Sequence, residues 1–267
     1  MPVLVTGAEG AVGRAAVLRL VRGGGEVRVF LDLERAAVAD PAPFQALGAK
    51  VARGALDDEG HLETALEQAH TVMHLASSPL EQPQRMLDGA ATVLCAAIGA
   101  GCRRMIWLSH LGVSAADGNE WLAACAEVEE LLAEAPLESV VFRRALTYGP
   151  DDDLTAALAG VATAGRAMSA RHAPLYAADL AAAVVAADLE RVTGGVTDLH
   201  LLVPIAGPDV VELAEVVRGL RGTPAEAAAR ALPAHAADLF ARDLLPPLGA
   251  IGAQGTPFAE GIRRLTG

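Results

Sequence analysis

The stretch "PVLVTGAEGAVGRAAVLRLVRGGG" (2–25) decides the fold. Its first part, "PVLVTG" (2–7), is a short β-branched apolar run ended by glycine, and it predicts a buried strand. From Ala11 the pattern changes. Val12, Ala16 and Leu20 lie near helical spacing and a glycine run ends the segment, which predicts a helix over 11–25. Between the two stand Gly7, Gly10 and Gly13. In a strand–loop–helix turn the first allows the tight bend, the second lets backbone approach a pyrophosphate, and the third lets the helix pack on the strand. The helix N-terminus then offers free N–H groups and a partial positive charge to phosphates. Spaced glycines alone are weak evidence; the strand before them and the helix after them give them meaning.

The pattern continues outward. "EVRVFLD" (26–32) predicts a second strand and "AKVARGAL" (49–56) a third. "HLETALEQA" (61–69) predicts a helix, "TVMHLAS" (71–77) a strand, 83–100 a helix and "RMIWLSH" (104–110) a strand. Residues 119–134 predict a helix and "ESVVFRRA" (138–145) a sixth strand. Residues 151–170 read as irregular and helical. "ADLAAAVVAADLE" (178–190) predicts a helix with Asp179 as its N-cap. "DLHLLVP" (198–204) predicts a last strand, before a helical tail broken at "LPPLG" (245–249). Strands alternating with helices predict an α/β fold, a doubly wound Rossmann-type parallel sheet with a small C-terminal helical, substrate-binding lobe. Residues 1–150 are expected to form the dinucleotide-binding core. Residues 151–267 are expected to return to the sheet over about 175–204 and to form the lobe over about 205–267.

Asp32 ends the second strand, about twenty residues past the glycine loop, where a carboxylate bonds the adenosine ribose hydroxyls. It repels a 2′-phosphate, so NAD is the expected cofactor. Arg14 and Arg35 are close enough in sequence to leave NADP open.

Composition narrows the remaining classes. The 267 residues are 52% hydrophobic, enough for one large core or a core with a smaller lobe. A net charge of -12 and a pI near 5.0 argue against nucleic acid as a direct partner. The 3 cysteines, Cys95, Cys102 and Cys125, contain no CxxC pair, so neither a disulfide framework nor a zinc site is expected. The start "MPVLVTGAEG" lacks the charged-then-apolar pattern of a signal peptide, and runs such as "LAAAVVAA" (180–187) are too short to span a bilayer. A cytoplasmic protein is expected. "DDD" (151–153) reads as a solvated turn and helix cap rather than a metal cluster, and no metal site is expected.

Several motifs together resemble the extended and atypical short-chain dehydrogenase/reductases, including the NAD-dependent epimerase/dehydratase and NmrA-like groups. The glycines are three apart. "VMHLAS" is similar to the family's fourth strand, where His74 is usually structural. "RRMIWLSHLGV" is similar to the fifth, whose end carries a catalytic Ser. "VVFRRALTYGP" is similar to the sixth strand and its turn, with Arg143, Tyr148, Gly149 and Pro150 matching. "HAPLYAADLAAAV" is similar to the segment that returns to the sheet. The resemblance implies cofactor contacts at Gly7, Gly10, Gly13, Asp32, Leu56 and Ala76. It also implies a homodimer through the helices near 83–100 and 119–134.

The chain departs from the family at the chemistry. The family carries Tyr-x-x-x-Lys on the helix after the fifth strand, Tyr as acid/base and Lys to lower its pKa. In "NEWLAACAEVEELLAEA" (119–135) the matching positions hold Trp121 and Cys125. An indole does not titrate usefully, and a thiol is too short to replace an ammonium. Residues 111–137 contain neither Tyr nor Lys. Trp121, Cys125, Val128 and Leu132 make one apolar stripe, which reads as packing. In "GALDD" (54–58) Ala55 stands where the family has an adenine-bonding Asp. The expectation is an NAD(P)-binding protein without the usual pair, binding a dinucleotide without the usual hydride chemistry. The alternative is an enzyme, an epimerase/dehydratase, reductase or non-redox catalyst, using Ser109 and His110. Tyr148, His172 and Tyr176 are weaker candidates, and the small-molecule ligand or substrate is open.

Overall fold

A computed structural model describes residues 1–33, 40–113, 118–161, 166–193, 199–224, 226, 231–247, 250 and 255–266. Its centre is a seven-stranded sheet. The strands are β1 (Val3–Thr6), β2 (Val27–Asp32), β3 (Lys50–Gly54), β4 (Thr71–His74), β5 (Arg104–His110), β6 (Glu138–Arg144) and, late in the chain, His200–Ile205. Every neighbouring pair is parallel, and the late strand lies on the outer edge beside β6. From that edge the order runs late strand, β6, β5, β4, β1, β2, β3. This is the doubly wound α/β order, with its switch point between β1 and β4.

Helices cover both faces. α1 (Ala11–Arg22) lies on one face with the later helix Ala177–Thr193. α3 (Glu59–Leu66), α4 (Pro83–Gly99) and α5 (Glu120–Glu134) cover the other, while the short α2 (Ala42–Ala46) adjoins β3. Two apolar cores result. Val5, Val17, Ile106 and Val184 belong to one; Trp107, Trp121, Leu94 and Leu132 belong to the other. Alternation along each strand divides its side chains between them. In β6, Val141 enters the α5 side and Phe142 the α1 side.

At the N-terminal ends of β5 and β6 a buried ion network ties the layers together. Arg104 donates to Glu138 Oε2 at 2.6 Å and to Asp188 Oδ1 at 2.7 Å, and Thr71 donates to the same Asp188 oxygen at 2.8 Å. This end lies opposite the glycine loop.

After β6 come β7 (Thr147–Tyr148), α6 (Asp153–Ala159), a 3₁₀ turn (Arg166–Ser169), β8 (Arg171–His172) and β9 (Leu175–Tyr176). They are followed by α7 (Ala177–Thr193), β10 (His200–Ile205), β11 (Val211–Glu212), α8 (Leu213–Leu220), α9 (Ala234–Phe240) and α10 (Phe258–Thr266). β7 pairs with β9, and β8 with β11. α6, α8 and α10 pack together beside the sheet, and α9 packs on α5.

Three details differ from the sequence reading. Asp179 does not cap α7; it lies within the first turn, and its carboxylate accepts from the Thr256 N–H at 2.6 Å. The α2 turn and the two-residue strands were not anticipated. The fourth strand ends at His74, so "LAS" (75–77) is loop.

Candidate dinucleotide site

The first strand delivers the chain to Gly7 at φ +68°, a left-handed conformation that glycine adopts without strain. A Cβ on Gly7 would lie 2.4 Å from the Ala76 backbone nitrogen, so β1 and the β4 loop touch through bare backbone. A Cβ on Gly13 would lie 2.1 Å from the Gly7 carbonyl oxygen, so the helix rests directly on the turn. Gly10 differs. It is the N-cap of α1, and a Cβ there would meet only the Gly7 oxygen, at an ordinary 3.5 Å. Gly7 and Gly13 are therefore glycine for packing. Gly10 keeps the space outside the helix N-terminus clear, where a pyrophosphate would lie.

That space is a cleft of about 240 Å³ lined by the loop residues Gly7, Gly10 and Gly13, by Ala76 and Ser77 after β4, and by Leu108, Arg144 and Thr147. Asp151, Asp152 and Asp153 form its rim. Asp152 caps α6, its Oδ2 accepting from the Thr155 N–H and hydroxyl, both at 2.9 Å. Arg14 donates to the Glu9, Pro150 and Asp151 carbonyls and so pins the glycine loop to the turn after β7. It is committed to backbone rather than aimed at a ribose. Arg35 lies outside the described residues.

A second cleft of about 380 Å³ shares Ala76 with the first and is lined by Leu56, Asp57, His74, Arg85 and Gly89. It lies on the β2 side, the adenosine side of such a fold. Asp32 is buried at its margin and forms an ion pair of 3.3 Å with Arg85 in the first turn of α4. The same guanidinium lies 3.4 Å from Glu81. Sequence proximity to Asp32 could not reveal Arg85, which arrives from another element.

The candidates for chemistry sit elsewhere. Ser109 donates to Glu129 Oε1 at 2.5 Å, and Glu129 is held by Arg143, whose Nε lies 3.0 Å from the same oxygen. Ser109 thus faces α5, not the cleft. His110 is buried edge-to-face on Phe240 at 6.0 Å, with Nδ1 3.0 Å from the Leu111 carbonyl. Burial, reinforced by the Arg144 charge, pushes its pKa down to about 3. Neither side chain lines the cleft. Trp121 and Cys125 are fully buried; the indole stacks on His235, and burial pushes the thiol up to about 12. The apolar stripe of α5 is packing.

The two tyrosines are buried as well. Tyr148 lies under α10, so close that a Cβ on Gly261 would meet its hydroxyl, and burial raises its pKa. Tyr176 is covered by the Arg264 guanidinium at 5.7 Å. His172 is buried with Nε2 2.9 Å from the Phe240 carbonyl. None of the three lines the cleft.

Arg144, at the end of β6, went unnoticed in the sequence because its neighbour Arg143 carried the family match. Adjacent strand residues face opposite ways, so Arg143 turns to α5 and Arg144 to the cleft. Only 5% of Arg144 is exposed. It donates through Nη2 to the Ser77 carbonyl, while its Nε has no partner.

Among the described residues no group of His, Cys, Asp and Glu could hold a metal ion, and no helix is long and apolar enough to cross a membrane. The open cradle at Gly10, the free helix N-terminus and the buried cation beside them suit a phosphate-bearing cofactor.

Comparison with known proteins agrees. The sequence profile of a family described as NAD(P)H-binding matches residues 7–190. Comparison with curated protein sequences gave no significant match. Among solved structures, the UDP-glucose 4-epimerase of Thermus thermophilus, in complex with NAD, aligns over 100% of this chain and 97% of its own, with TM-score 0.72 and 22% identity. The UDP-glucose 4-epimerase of Thermotoga maritima, with UDP-glucose, gives the same coverage and TM-score at 18% identity. The Bordetella bronchiseptica enzyme WbmH, in complex with NAD+, aligns over 98% of this chain and 95% of its own, with TM-score 0.69 and 18% identity. At these identities the structures testify to the fold. The profile match covers most of the chain and includes the glycine loop, β4, β5 and β6. This chain belongs to the family described as NAD(P)H-binding and shares the fold of these enzymes.

Proposed function

We propose that the protein binds a dinucleotide across the C-terminal ends of its strands without running Tyr/Lys-type hydride chemistry. One observation carries this reading: no phenol and ammonium are available to the cleft. The only lysine, Lys50, lies in β3 and pairs with Glu26 at 2.7 Å. Both tyrosines are buried away from the cleft, and the positions matching Tyr and Lys are Trp121 and Cys125 in the core. When bound, the dinucleotide would bring a nicotinamide capable of hydride exchange. The chain's own residues would hold the phosphates at the α1 N-terminus and the ribose at Asp32, with the Arg144 guanidinium in the wall of the phosphate cleft. A cytoplasmic binding or cofactor-sensing role fits this inventory.

Asp32 supports NAD over NADP, because a buried carboxylate repels a 2′-phosphate. Arg85 opposes it, since it partly neutralises Asp32 and donates from the same cleft. Fluorescence titration with NADH and NADPH tests the balance. The expected result is tighter binding of NADH by the wild type and relaxed discrimination in Asp32→Ala. Tighter NADPH binding by the wild type would overturn the preference and identify Arg85 as the phosphate reader.

The second reading is catalysis by Ser109 and His110. His110 stands at the end of β5 beside Arg144, which keeps it near the cleft, but both groups are engaged in the interior. A dinucleotide-dependent turnover lost in His110→Gln, with NADH affinity unchanged, would favour this reading over a binding role.

A further inference from the structure

One wall of the phosphate cleft is the loop after β4, and Leu75, Ala76, Ser77, Ser78 and Pro79 all line it. Past the strand end, its backbone groups need partners that the sheet no longer supplies. The last bond to the sheet runs from the Leu75 N–H to the Thr6 carbonyl at 3.1 Å. Two carbonyls are then satisfied locally. Leu75 accepts from the Ser77 N–H at 3.0 Å, and Ser78 from the Glu81 N–H at 2.9 Å.

Two others are answered by side chains from distant elements. Arg144 on β6 donates to the Ser77 carbonyl, and the buried Asp152 carboxylate acts on that guanidinium. His235 on α9 has its Nε2 2.9 Å from the Pro79 carbonyl. A carbonyl only accepts, so this nitrogen carries the proton and donates. Pro79 is buried, and a buried carbonyl left without a donor is costly.

The His235 ring is itself held from α5. It stacks on Trp121 with centroids 6.2 Å apart and planes 14° from parallel. Asn119, the N-cap of α5, donates to the His235 carbonyl at 3.0 Å and to the Asp238 carboxylate of α9 at 2.8 Å. Trp121, at the position matching the family's Tyr, is thus the platform for an imidazole. α5 holds α9, and α9 holds the cleft wall.

Resting on the dinucleotide-binding reading, we infer that His235 is a positioning residue for the cofactor. It does not line the cleft. It acts through the Pro79 carbonyl, keeping the loop over 75–79 in the shape the phosphates meet, and Trp121 aims it. Docking of α9 and binding at the phosphate cleft are then coupled. By linkage, whatever factor α9 docking adds to cofactor affinity, the cofactor returns to α9 docking.

Titration with NADH and ADP, beside urea unfolding and hydrogen exchange, tests this. His235→Ala is expected to bind both about two- to tenfold more weakly, the effect of one hydrogen bond, while keeping a single cooperative urea transition. His235→Gln, which returns an N–H donor at similar reach, should recover most of the affinity. In the wild type, saturating ADP should slow exchange of the α9 amides, and this measurement needs no variant. Equal NADH affinity in His235→Ala and wild type would overturn the inference and leave the dinucleotide reading intact. So would a loss that His235→Gln does not recover, since the ring's bulk and not its bond would be the cause, or α9 exchange that ADP leaves unchanged. If the wild type binds neither NADH nor ADP, the dinucleotide reading itself fails.

Discussion

At the scale of single residues, the three loop glycines look alike in sequence and differ in consequence. Gly10 has room for a side chain within the protein; Gly13 has none, its Cβ falling 2.1 Å from a carbonyl oxygen. Gly10→Val should therefore fold with near-normal stability and lose NADH affinity by tenfold or more, because the new methyls occupy the phosphate space. Gly13→Val should instead lose the fold, by more than about 3 kcal/mol, as overpacking against rigid backbone does. Fluorescence titration and urea unfolding of the two variants separate these outcomes; equal NADH affinity in Gly10→Val and wild type would sink the site. The tight turn at Gly7 and the close packing at Gly13 were readable from spacing because local backbone geometry dictates them. Arg85 and Arg144 were not. Long side chains reach across strands and between elements, and no local period encodes where they end.

At the scale of elements, the alternation of strands and helices through β6 was legible because buried parallel strands read as apolar runs. The tail was less so. Strands of two residues are too short to show a period, and abundant alanine blurs the faces of helices. That tail changes the environment of a residue the sequence marked as chemical. α9 sets Phe240 against both His110 and His172 and seals the end of β5. The consequence is a pH dependence. With a folded pKa near 3, His110 stays neutral while the unfolded chain takes up a proton below its ordinary value of about 6.5. Its contribution to stability is thus full above pH 6.5 and declines as pH falls toward 3, by about 1.4 kcal/mol per pH unit. Burial lowers the pKa of His172 and His70 as well, so these add to the slope. Urea unfolding at pH 7 and pH 5 should show the wild type losing stability. His110→Gln should lose less, by about one proton's worth of slope. An unchanged slope in the variant would mean that His110 is accessible and titrating in the folded protein, reopening its candidacy for proton transfer.

At the scale of the whole molecule, the open question is association. The family resemblance implies a two-fold pairing through α4 and α5, and these helices do pack side by side over the sheet. Their outward residues set the terms. Ile98 on α4 and Leu131 on α5 are each 40% exposed, apolar surface a second copy could cover. Beside Leu131 stand exposed Glu127, Glu130 and Glu134 on α5. Two copies of this face bring like charges together, on a chain already at -12. At low salt that repulsion works against the apolar contact; near 0.5 M salt, with the Debye length down to about 4 Å, it is largely screened. A homodimer through this face should therefore strengthen with ionic strength, the opposite of an assembly held by ion pairs. Light scattering at micromolar concentration should show the mass rising from monomer toward dimer between about 0.05 and 0.5 M salt. Leu131→Glu should hold it at monomer throughout, since it removes the apolar contact and adds a charge. A wild type that stays monomeric at every salt concentration, or a dimer that Leu131→Glu leaves intact, would mean that this acidic face is solvent surface and that any pairing of this chain uses another side.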